Sequence, residues 1–304
     1  MTTYSKTRSA LARHKLAPSK RFGQNFLVHR HTAEAIVRSG DIHPQDTIVE
    51  VGVGLAALTL PLARSARHVF GIEIDSGIIR LHEQEKDLPE NVTLLHQDIL
   101  KTDFQELEQR CGGKLKIIAN LPYSISNPFI FKLIDNRIHV EMATVMLQKE
   151  VADRLLAGPG SKDYGIPSIL LQHCARIKKL MTLGPCEFHP QPKVDSVVVQ
   201  IVFHAESSGL PALSSDEYAL FVKIVRATFS QRRKTILNTL TATNLFPELA
   251  DRNDIKALTE QAITAAGLSS RLRPEEMRIQ SFEDLSRSFL RLRLSADRRG
   301  DLNE

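Results

Sequence analysis

The strongest constraint on the fold is a proline placed just after a short apolar run. Residues 115–119 are largely apolar, which predicts a short buried strand. Pro122 has no N–H and cannot continue a central strand, so the chain must leave the sheet at Asn120. In open α/β sheets, ligands bind outside the carboxyl ends of the strands. Asn120-Leu121-Pro122-Tyr123 therefore predicts an amide side chain and a phenol ring at that edge.

The chemistry of this turn suits the exocyclic amine of a nucleic-acid base. The Asn120 side-chain oxygen and the adjacent Leu121 carbonyl can together accept both protons of such an amine. The Tyr123 ring can stack on the attached base. These roles predict methyl transfer to the amino group of a base. The alternative is a turn that merely ends a strand, since short motifs give false positives.

A glycine-containing turn follows an earlier strand, predicted at residues 47–51. Residues 52–59, which begin Gly52-Val53-Gly54, turn this strand into a helix. Glu50 lies two residues before the first glycine. A carboxylate in this position is unsuited to a pyrophosphate and suited to a cationic ligand. It favours S-adenosylmethionine, which carries a sulfonium and an ammonium, over NAD.

Two further strands also end in acidic residues. Glu73 closes the second strand, 19 residues after Gly54, where an acidic side chain reaches ribose hydroxyls in βαβ nucleotide sites. Asp75 is either a rival for that role or a helix cap. Asp98 follows the third strand and either accepts a hydrogen bond from an adenine amine or caps a helix. Together with Asn120, these strand ends predict one ligand site.

Two loops are further candidates for the site. Residues 23–27 precede a predicted helix at 32–39, and alone they read as a polar capping loop. Residues 158–165 contain three glycines and are predicted to move over a substrate. The predicted strands at 174–183 and 196–203 complete the sheet as a hairpin-like pair. Between them, Phe188 lies in a proline-rich loop, which predicts a stacking platform for a base.

The chain is predicted to divide into three parts. A basic arm at residues 1–22 precedes an α/β domain at 23–206, and a helical domain follows at 207–304, beginning with a Ser/Gly/Pro linker at 207–215. The helices of this last domain are predicted at 216–229, 232–243, 255–266 and 282–290.

Positive charge is concentrated in two places. Seven Lys and Arg residues precede the first acidic residue, Glu34, and this basic beginning suits contact with a polyanion. A disordered tail and a transit peptide are the alternatives for the arm. Arg232, Arg233 and Lys234 are predicted to begin a helix, where the helix dipole disfavours cations. That local cost favours a phosphate-contacting role for these three residues.

Length and composition limit the number of domains and argue against a membrane span and a metal site. The 304 residues suggest about two domains. No apolar run approaches the ~18 residues of a membrane span, so no membrane association is predicted. The three cysteines lack metal-ligand spacing, which favours a reducing compartment and a protein without a metal site.

In combination, these motifs resemble the KsgA-type small-subunit ribosomal-RNA adenine dimethyltransferases across residues 20–290. The resemblance implies a Rossmann-like class I methyltransferase sheet with a small C-terminal all-α domain. The blocks that carry it are residues 21–27, 50–59, 71–75, 97–98, 120–126, 148–155, 192–196 and 229–235.

The resemblance also implies site residues and a substrate. The implied cofactor is S-adenosylmethionine, bound by Asn25, Leu27, Gly52, Gly54, Glu73, Asp98 and Asn120. The implied catalytic residues are Asn120, Leu121, Pro122, Tyr123 and Phe188, and the implied RNA contacts are Arg21, Arg232, Arg233 and Lys234. The implied substrate is two neighbouring adenosines near the 3′ end of small-subunit rRNA. Each adenosine receives two methyl groups on a pre-assembled small ribosomal subunit, from a cytoplasmic monomer.

This chain departs from the family pattern at two positions. Where the family usually has Pro and Gly, the chain has Val53 and Ala56, and both changes are expected to crowd the methionine part of the cofactor slightly.

Three other functions compete with this interpretation. An Erm-type dimethyltransferase acts on large-subunit rRNA, but residues 193–196 and the helical tail favour the small-subunit family. A DNA adenine methyltransferase is disfavoured, because such enzymes usually carry two prolines in the catalytic turn and this turn has Pro122 alone. A non-catalytic RNA-binding assembly or transcription factor could also use this fold.

Overall fold

The computed structural model describes residues 24–204, 213–243, 245 and 252–300, which form two compact units. The first unit contains residues up to Asp153 together with those from Cys174 to His204. The second contains Arg154–His173 together with the described residues from 213 onward. The predicted arm and most of the predicted linker lie outside the described residues. Residues 154–173, predicted as part of the α/β domain, group with the helical unit.

The described strands alternate with helices along the first unit. The strands are β1 (Phe26–Leu27), β2 (Thr47–Val51), β3 (His68–Glu73), β4 (Val92–His96), β5 (Leu115–Asn120), β6 (Val140–Gln148), β7 (Ala175–Leu183), β8 (Phe188–His189) and β9 (Ser196–Phe203). The helices of this part of the chain are α1 (Arg30–Ser39), α2 (Thr59–Ser65), α3 (Ser76–Glu85), α4 (Phe104–Cys111), α5 (Ser126–Asp135), α6 (Lys149–Leu156) and α7 (Ile166–Cys174).

Seven of these strands form one sheet in the order β4-β3-β2-β5-β6-β9-β7. Strands β2 to β6 pair in parallel, and β9 is antiparallel to both β6 and β7. Ile48 and Val49 of β2 are fully buried, as a continuous apolar run predicts for a strand covered on both faces. The strand order reverses at β2, which opens a ligand crevice at its carboxyl end. The predicted Rossmann-like sheet and its final hairpin-like pair are confirmed.

A second, two-stranded sheet joins β1 to β8, and sequence analysis did not predict it. Phe26 pairs with His189 and Leu27 with Phe188. Glu187 reinforces this contact, because its carboxylate accepts a hydrogen bond from the Thr32 hydroxyl at 2.7 Å. The segment before α1 is therefore a strand, and the residue that precedes this helix, His29, makes no side-chain capping bond to it.

The second unit is helical, as predicted. Its remaining helices are α8 (Ser215–Phe229), α9 (Ile236–Ala242), α10 (Arg252–Ala265) and α11 (Ile279–Gly300). Helix α11 packs on α8 and α10, around the buried rings of Phe221, Phe282 and Phe289. A capping box, in which Ser214 and Glu217 bond each other's backbone N–H groups, fixes the start of α8.

The glycine-containing loop at 158–165 is held by hydrogen bonds to the helical unit, and its movement over a substrate stays a prediction. Tyr164 is fully buried and its hydroxyl donates to the Met277 carbonyl at 3.0 Å. The Gly160 N–H donates to the Glu275 carbonyl at 2.7 Å. These bonds tie the loop to its own unit. None of the described helices combines the length and the apolarity that a bilayer span requires.

Candidate functional site

Four polar side chains from four strand ends line one pocket in the first unit. Glu50 comes from β2 and Glu73 from β3, Asp98 follows β4, and Asn120 closes β5. The parallel pairing of these strands brings their carboxyl ends together. The structure therefore assembles the residues that sequence analysis placed at one edge of the sheet.

The glycine turn after β2 forms the floor of the pocket. Gly52 has φ +81°, and a Cβ placed on it would lie 3.0 Å from the Asn120 carbonyl oxygen. Gly54 has φ +53°, and a Cβ there would meet the Phe26 ring. Both positions need glycine, because a side chain would be strained and would also be crowded.

Glu73 is held by two backbone donors. Its Oε2 accepts from the Gly54 N–H at 3.0 Å and its Oε1 accepts from the Asp75 N–H at 2.9 Å. Burial raises the pKa of its carboxyl, and these two hydrogen bonds offset part of that rise. Each carboxylate oxygen keeps a further lone pair for a ligand hydroxyl.

Glu50 is a buried carboxyl group without a hydrogen-bond partner of standard geometry among the described residues. It is 0% exposed and lines the pocket. Burial raises the pKa of its carboxyl to about 8, the nearby Thr59 lowers it in part, and the negative charge of Glu73 adds to the rise. A buried, unpartnered acid costs free energy unless a ligand meets it.

Asp75 and Asp98 take different local roles. The Asp75 side chain accepts from the Gly77 N–H at 2.8 Å and caps α3, which is the alternative that sequence analysis left open. The Asp98 Oδ1 accepts from the Leu100 N–H at 2.9 Å, which fixes its carboxylate at the pocket wall.

Asn120 is oriented by the segment before α1. Its amide Nδ2 donates to the Asn25 carbonyl at 3.3 Å. Because a carbonyl can only accept, the amide nitrogen faces Asn25 and the amide oxygen Oδ1 is turned away from it. The same pocket is also lined by Asn25, Leu27, Leu121 and Pro122.

Tyr123 lies just beyond the pocket wall. It begins a short 3₁₀ turn (Tyr123–Ile125), and its phenol oxygen lies 2.9 Å from the Ser196 hydroxyl. Burial raises the pKa of the Tyr123 phenol. The residue is partly exposed, and stacking of its ring on a base stays a prediction.

Phe188 differs from the expected stacking platform. Its ring is 1% exposed and packs in a core cluster with Leu27, Ile36 and Met146. The pairing of β8 with β1 turns this side chain inward. A ring buried in this way cannot stack on a base without leaving the core, so we do not assign Phe188 to the site.

The three predicted RNA-contacting cations of the second unit are not equivalent. They lie in the turn between α8 and α9, and α9 begins only after its cap, Thr235. Arg232 is partly buried and donates to the Ser161 and Tyr164 carbonyls at 3.3 and 2.9 Å, whereas Arg233 and Lys234 are exposed. Arg21 lies outside the described residues.

Val53 lines the pocket, and its crowding of the methionine part of the cofactor stays a prediction. Val53 is buried, and its Cγ2 would lie 2.6 Å from a Cβ on Gly71. Ala56 is absent from the pocket lining and has φ +60°, a conformation that favours glycine. The cost of Ala56 is therefore backbone strain.

Two kinds of contributor to the site were not predicted from the sequence. Ile74, Ile99 and Leu100 line the pocket with apolar surface, and Ile74 is 41% exposed. Their positions next to Glu73 and Asp98 are the signal that could have identified them. The contact of Ser196 with the turn is long-range and has no local sequence signal.

The pocket lining is acidic. Its acidic side chains are Glu50, Glu73 and Asp98, and among the described residues no lysine or arginine lines it. Such a pocket suits a ligand with positive charge and polar hydroxyls, and it disfavours a polyphosphate.

Comparison with known sequences agrees with this geometry. The model of the family described as ribosomal RNA adenine dimethylase matches residues 16–265. "Ribosomal RNA small subunit methyltransferase A" of Desulfotalea psychrophila strain LSv54 is 57% identical over 290 residues, which cover 95% of this chain and 97% of the relative.

Solved structures show the same architecture. A dimethyladenosine transferase from Plasmodium falciparum matches with a TM-score of 0.69 and 27% identity, covering 86% of this chain and 95% of the other. The 23S rRNA methyltransferase ErmE matches with a TM-score of 0.63, covering 87% and 99%, but at 22% identity it shows the fold alone. Because the family model and the relative both span most of the sequence, this chain belongs to the ribosomal RNA adenine dimethylase family of methyltransferase enzymes.

Proposed function

We propose that this protein transfers methyl groups from S-adenosylmethionine to the N6 amines of two adjacent adenosines. These adenosines lie in the 3′-terminal hairpin loop of small-subunit rRNA, and each becomes dimethylated. The name of the Desulfotalea relative supports the small subunit as the target. The observation that carries the proposal is the acidic pocket, which contains no cation among its described lining residues and opens beside Asn120.

The residues present fit S-adenosylmethionine. Glu50 presents an unpartnered buried carboxyl group to the pocket, which suits the ammonium or sulfonium of this cofactor. Glu73, already oriented by two N–H donors, keeps lone pairs for the ribose hydroxyls. Ile74 and Ile99, which line the pocket, would supply apolar surface for the adenine ring, and Asp98 would accept from its amine.

When bound, this cofactor supplies an electrophilic methyl group on a positively charged sulfur. The protein's part is to present the amine that receives it. The Asn120 Oδ1 accepts one N–H of the target amine, and the Leu121 carbonyl accepts the other. These bonds favour a pyramidal nitrogen with a localised lone pair. Because Asn25 holds the amide nitrogen, Oδ1 is pre-oriented for this role.

Tyr123 would stack on the target base, which is worth ~1–3 kcal/mol per base. No side chain has to remove a proton first, because the amine loses its proton to water after it has become cationic. Positioning therefore supplies much of the rate. For the second methylation, one of the two hydrogen bonds to the amine must be dispensable.

The proposed partner is the pre-assembled small ribosomal subunit, bound by a cytoplasmic monomer. The exposed Arg233 and Lys234 and the basic arm with Arg21 would contact phosphates. Arg232 is assigned a supporting role, because carbonyls of its own unit accept its N–H groups.

The decisive experiment incubates purified protein with S-adenosylmethionine and either small-subunit particles or large-subunit rRNA. We expect N6,N6-dimethyladenosine at two neighbouring positions near the 3′ end of the small-subunit rRNA, detected by mass spectrometry. Methylation of large-subunit rRNA alone would support the Erm-type alternative. Cofactor-independent particle binding without methylation would support the assembly-factor alternative.

Substitution of Asn120 tests the assigned mechanism. Asn120→Ala should lower the methylation rate by at least about 100-fold, because it removes an acceptor that acts in the transition state. Binding to particles should be unchanged. Asn120→Asp should also fail, because a carboxylate cannot donate to the Asn25 carbonyl. Asn238→Ala, at an exposed position of α9, is the matched control and should behave as wild type.

A further inference from the structure

The His82 ring contacts two groups that can only accept hydrogen bonds. Its Nδ1 lies 2.7 Å from Asp87 Oδ1, and its Nε2 lies 2.8 Å from the Gly54 carbonyl oxygen. The side chain is 1% exposed, so water cannot replace either partner. A carboxylate and a carbonyl have no proton to give, so both ring nitrogens must carry hydrogen to satisfy both contacts.

These contacts hold one peptide of the glycine turn from both sides. The Gly54 carbonyl accepts from His82, and the Gly54 N–H donates to Glu73 Oε2 at 3.0 Å. Gly54 lines the pocket, whereas His82 does not. The ring is therefore separated from the Glu73 carboxylate by a single residue of the turn.

We propose that His82 is a positioning residue for the cofactor turn, holding the Gly54 peptide so that its N–H keeps the Glu73 carboxylate aimed into the pocket. This inference rests on the proposed function, which assigns the turn to the cofactor. If the side chain at position 82 can make only one of these two hydrogen bonds, either the ring position or the Gly54 peptide loses its support. Cofactor affinity then falls, although the ring does not line the pocket.

Other titratable groups surround the helix that carries His82. Helix α3 packs on β3 and β4, which contribute Glu73 and His96 at this end of the sheet. Asp75 caps the helix and Lys86 ends it. Glu50 also titrates within the pocket. The test is therefore read as a difference between wild type and variants that leave these groups unchanged.

The test measures the Kd for S-adenosylmethionine by calorimetry. His82→Gln can donate from one nitrogen only, so one of the two contacts of the ring is lost. Its Kd should be roughly tenfold weaker than that of wild type, as expected when a buried group loses its hydrogen bond, whereas kcat at saturating cofactor should be equal.

Two further variants sharpen the result. Asp87→Ala removes the acceptor that holds the ring at Nδ1, so its Kd should weaken in the same direction. His68→Gln changes a partly exposed histidine at the other end of β3, bonded to Thr93, and should reproduce the wild-type Kd. If His82→Gln lowers Tm but leaves the Kd as in wild type, the role is only structural and the proposal is overturned.

A direct readout keeps this inference separate from the proposed function. In ¹⁵N-labelled protein without cofactor, the Gly54 amide resonance should move in His82→Gln and stay in place in His68→Gln. An unmoved Gly54 resonance in His82→Gln would overturn the inference, even in a protein that binds cofactor. Failure of the wild type to bind S-adenosylmethionine would instead overturn the proposed function.

Discussion

The Tyr123 phenol oxygen lies 2.9 Å from the hydroxyl oxygen of Ser196, 73 residues away in the sequence. Ser196 is fully buried and begins β9, where its backbone pairs with Gln148 on one side and Leu183 on the other. The position of the Ser196 hydroxyl is therefore fixed by the sheet, and its hydrogen bond orients the Tyr123 ring. Burial raises the pKa of the Tyr123 phenol, so the phenol keeps its proton at neutral pH.

Ser196→Ala should lower kcat by about three- to tenfold, because it removes one neutral hydrogen bond that orients the Tyr123 ring. Tyr123→Phe removes the same bond and should have a similar effect. The double variant should then be no worse than either single variant, since both remove one shared interaction. Steady-state kinetics on small-subunit particles measure this. Additive losses would show that the two residues act separately.

Ala56→Gly should stabilise the protein. Ala56 has φ +60°, and a left-handed conformation costs an L-residue about 1–2 kcal/mol. Glycine adds unfolded-state entropy that offsets about 0.5–1 kcal/mol of this gain. The free energy of unfolding, measured with urea, should therefore rise by about 0.5–1 kcal/mol. Ala57→Gly is the matched control, because Ala57 has no positive φ, and it should destabilise. Equal losses in both variants would contradict the strain at Ala56.

Arg233→Ala with Lys234→Ala should weaken particle binding and reduce its salt dependence by about one unit of slope for each phosphate that is no longer neutralised. Arg232→Ala should instead lower the free energy of unfolding by about 1–3 kcal/mol, because two carbonyls lose their donor. Filter binding at several salt concentrations, together with urea unfolding, separates the two effects. Lys223→Ala with Arg226→Ala removes two exposed charges from α8 as the control. An unchanged salt slope in the first pair would contradict a role in phosphate binding.

Sequence could predict the polar lining of the pocket because a parallel sheet brings the ends of its strands together. Four residues each lie at or just beyond the end of a predicted strand: Glu50, Glu73, Asp98 and Asn120. The parallel order of these strands in the sheet then brings the four side chains into one pocket. Asp75 illustrates the limit of this approach, since a carboxylate after a strand serves equally well as a helix cap.

What sequence could not predict depends on long-range pairing. Phe188 lies among prolines, and nothing local indicates that β8 pairs with β1 and turns the ring into the core. Helix α7 was also hard to predict, because a proline such as Pro167 usually indicates the end of a helix. In the structure Pro167 lies in the first turn of α7, where proline is tolerated. The contact of His82 with Gly54 spans 28 residues and likewise has no local signal.

Glu50→Gln should change how stability depends on pH. Burial raises the pKa of the folded Glu50 carboxyl to about 8, against an ordinary value of 4.5 in the unfolded chain. Between these values the folded protein holds a proton that the unfolded chain releases. The free energy of unfolding therefore falls as pH rises, by at most ~1.4 kcal/mol per pH unit for this group. Glutamine mimics the neutral acid and does not titrate, so this slope should disappear from the variant. Urea unfolding across this pH window measures the free energy of unfolding of wild type and of Glu50→Gln. Groups that titrate in both proteins cancel when one curve is subtracted from the other. Glu34→Gln is the control, because the pKa of that partly exposed carboxyl is lowered and it titrates below the window. Parallel curves for wild type and Glu50→Gln would show that Glu50 is already ionised in the folded protein.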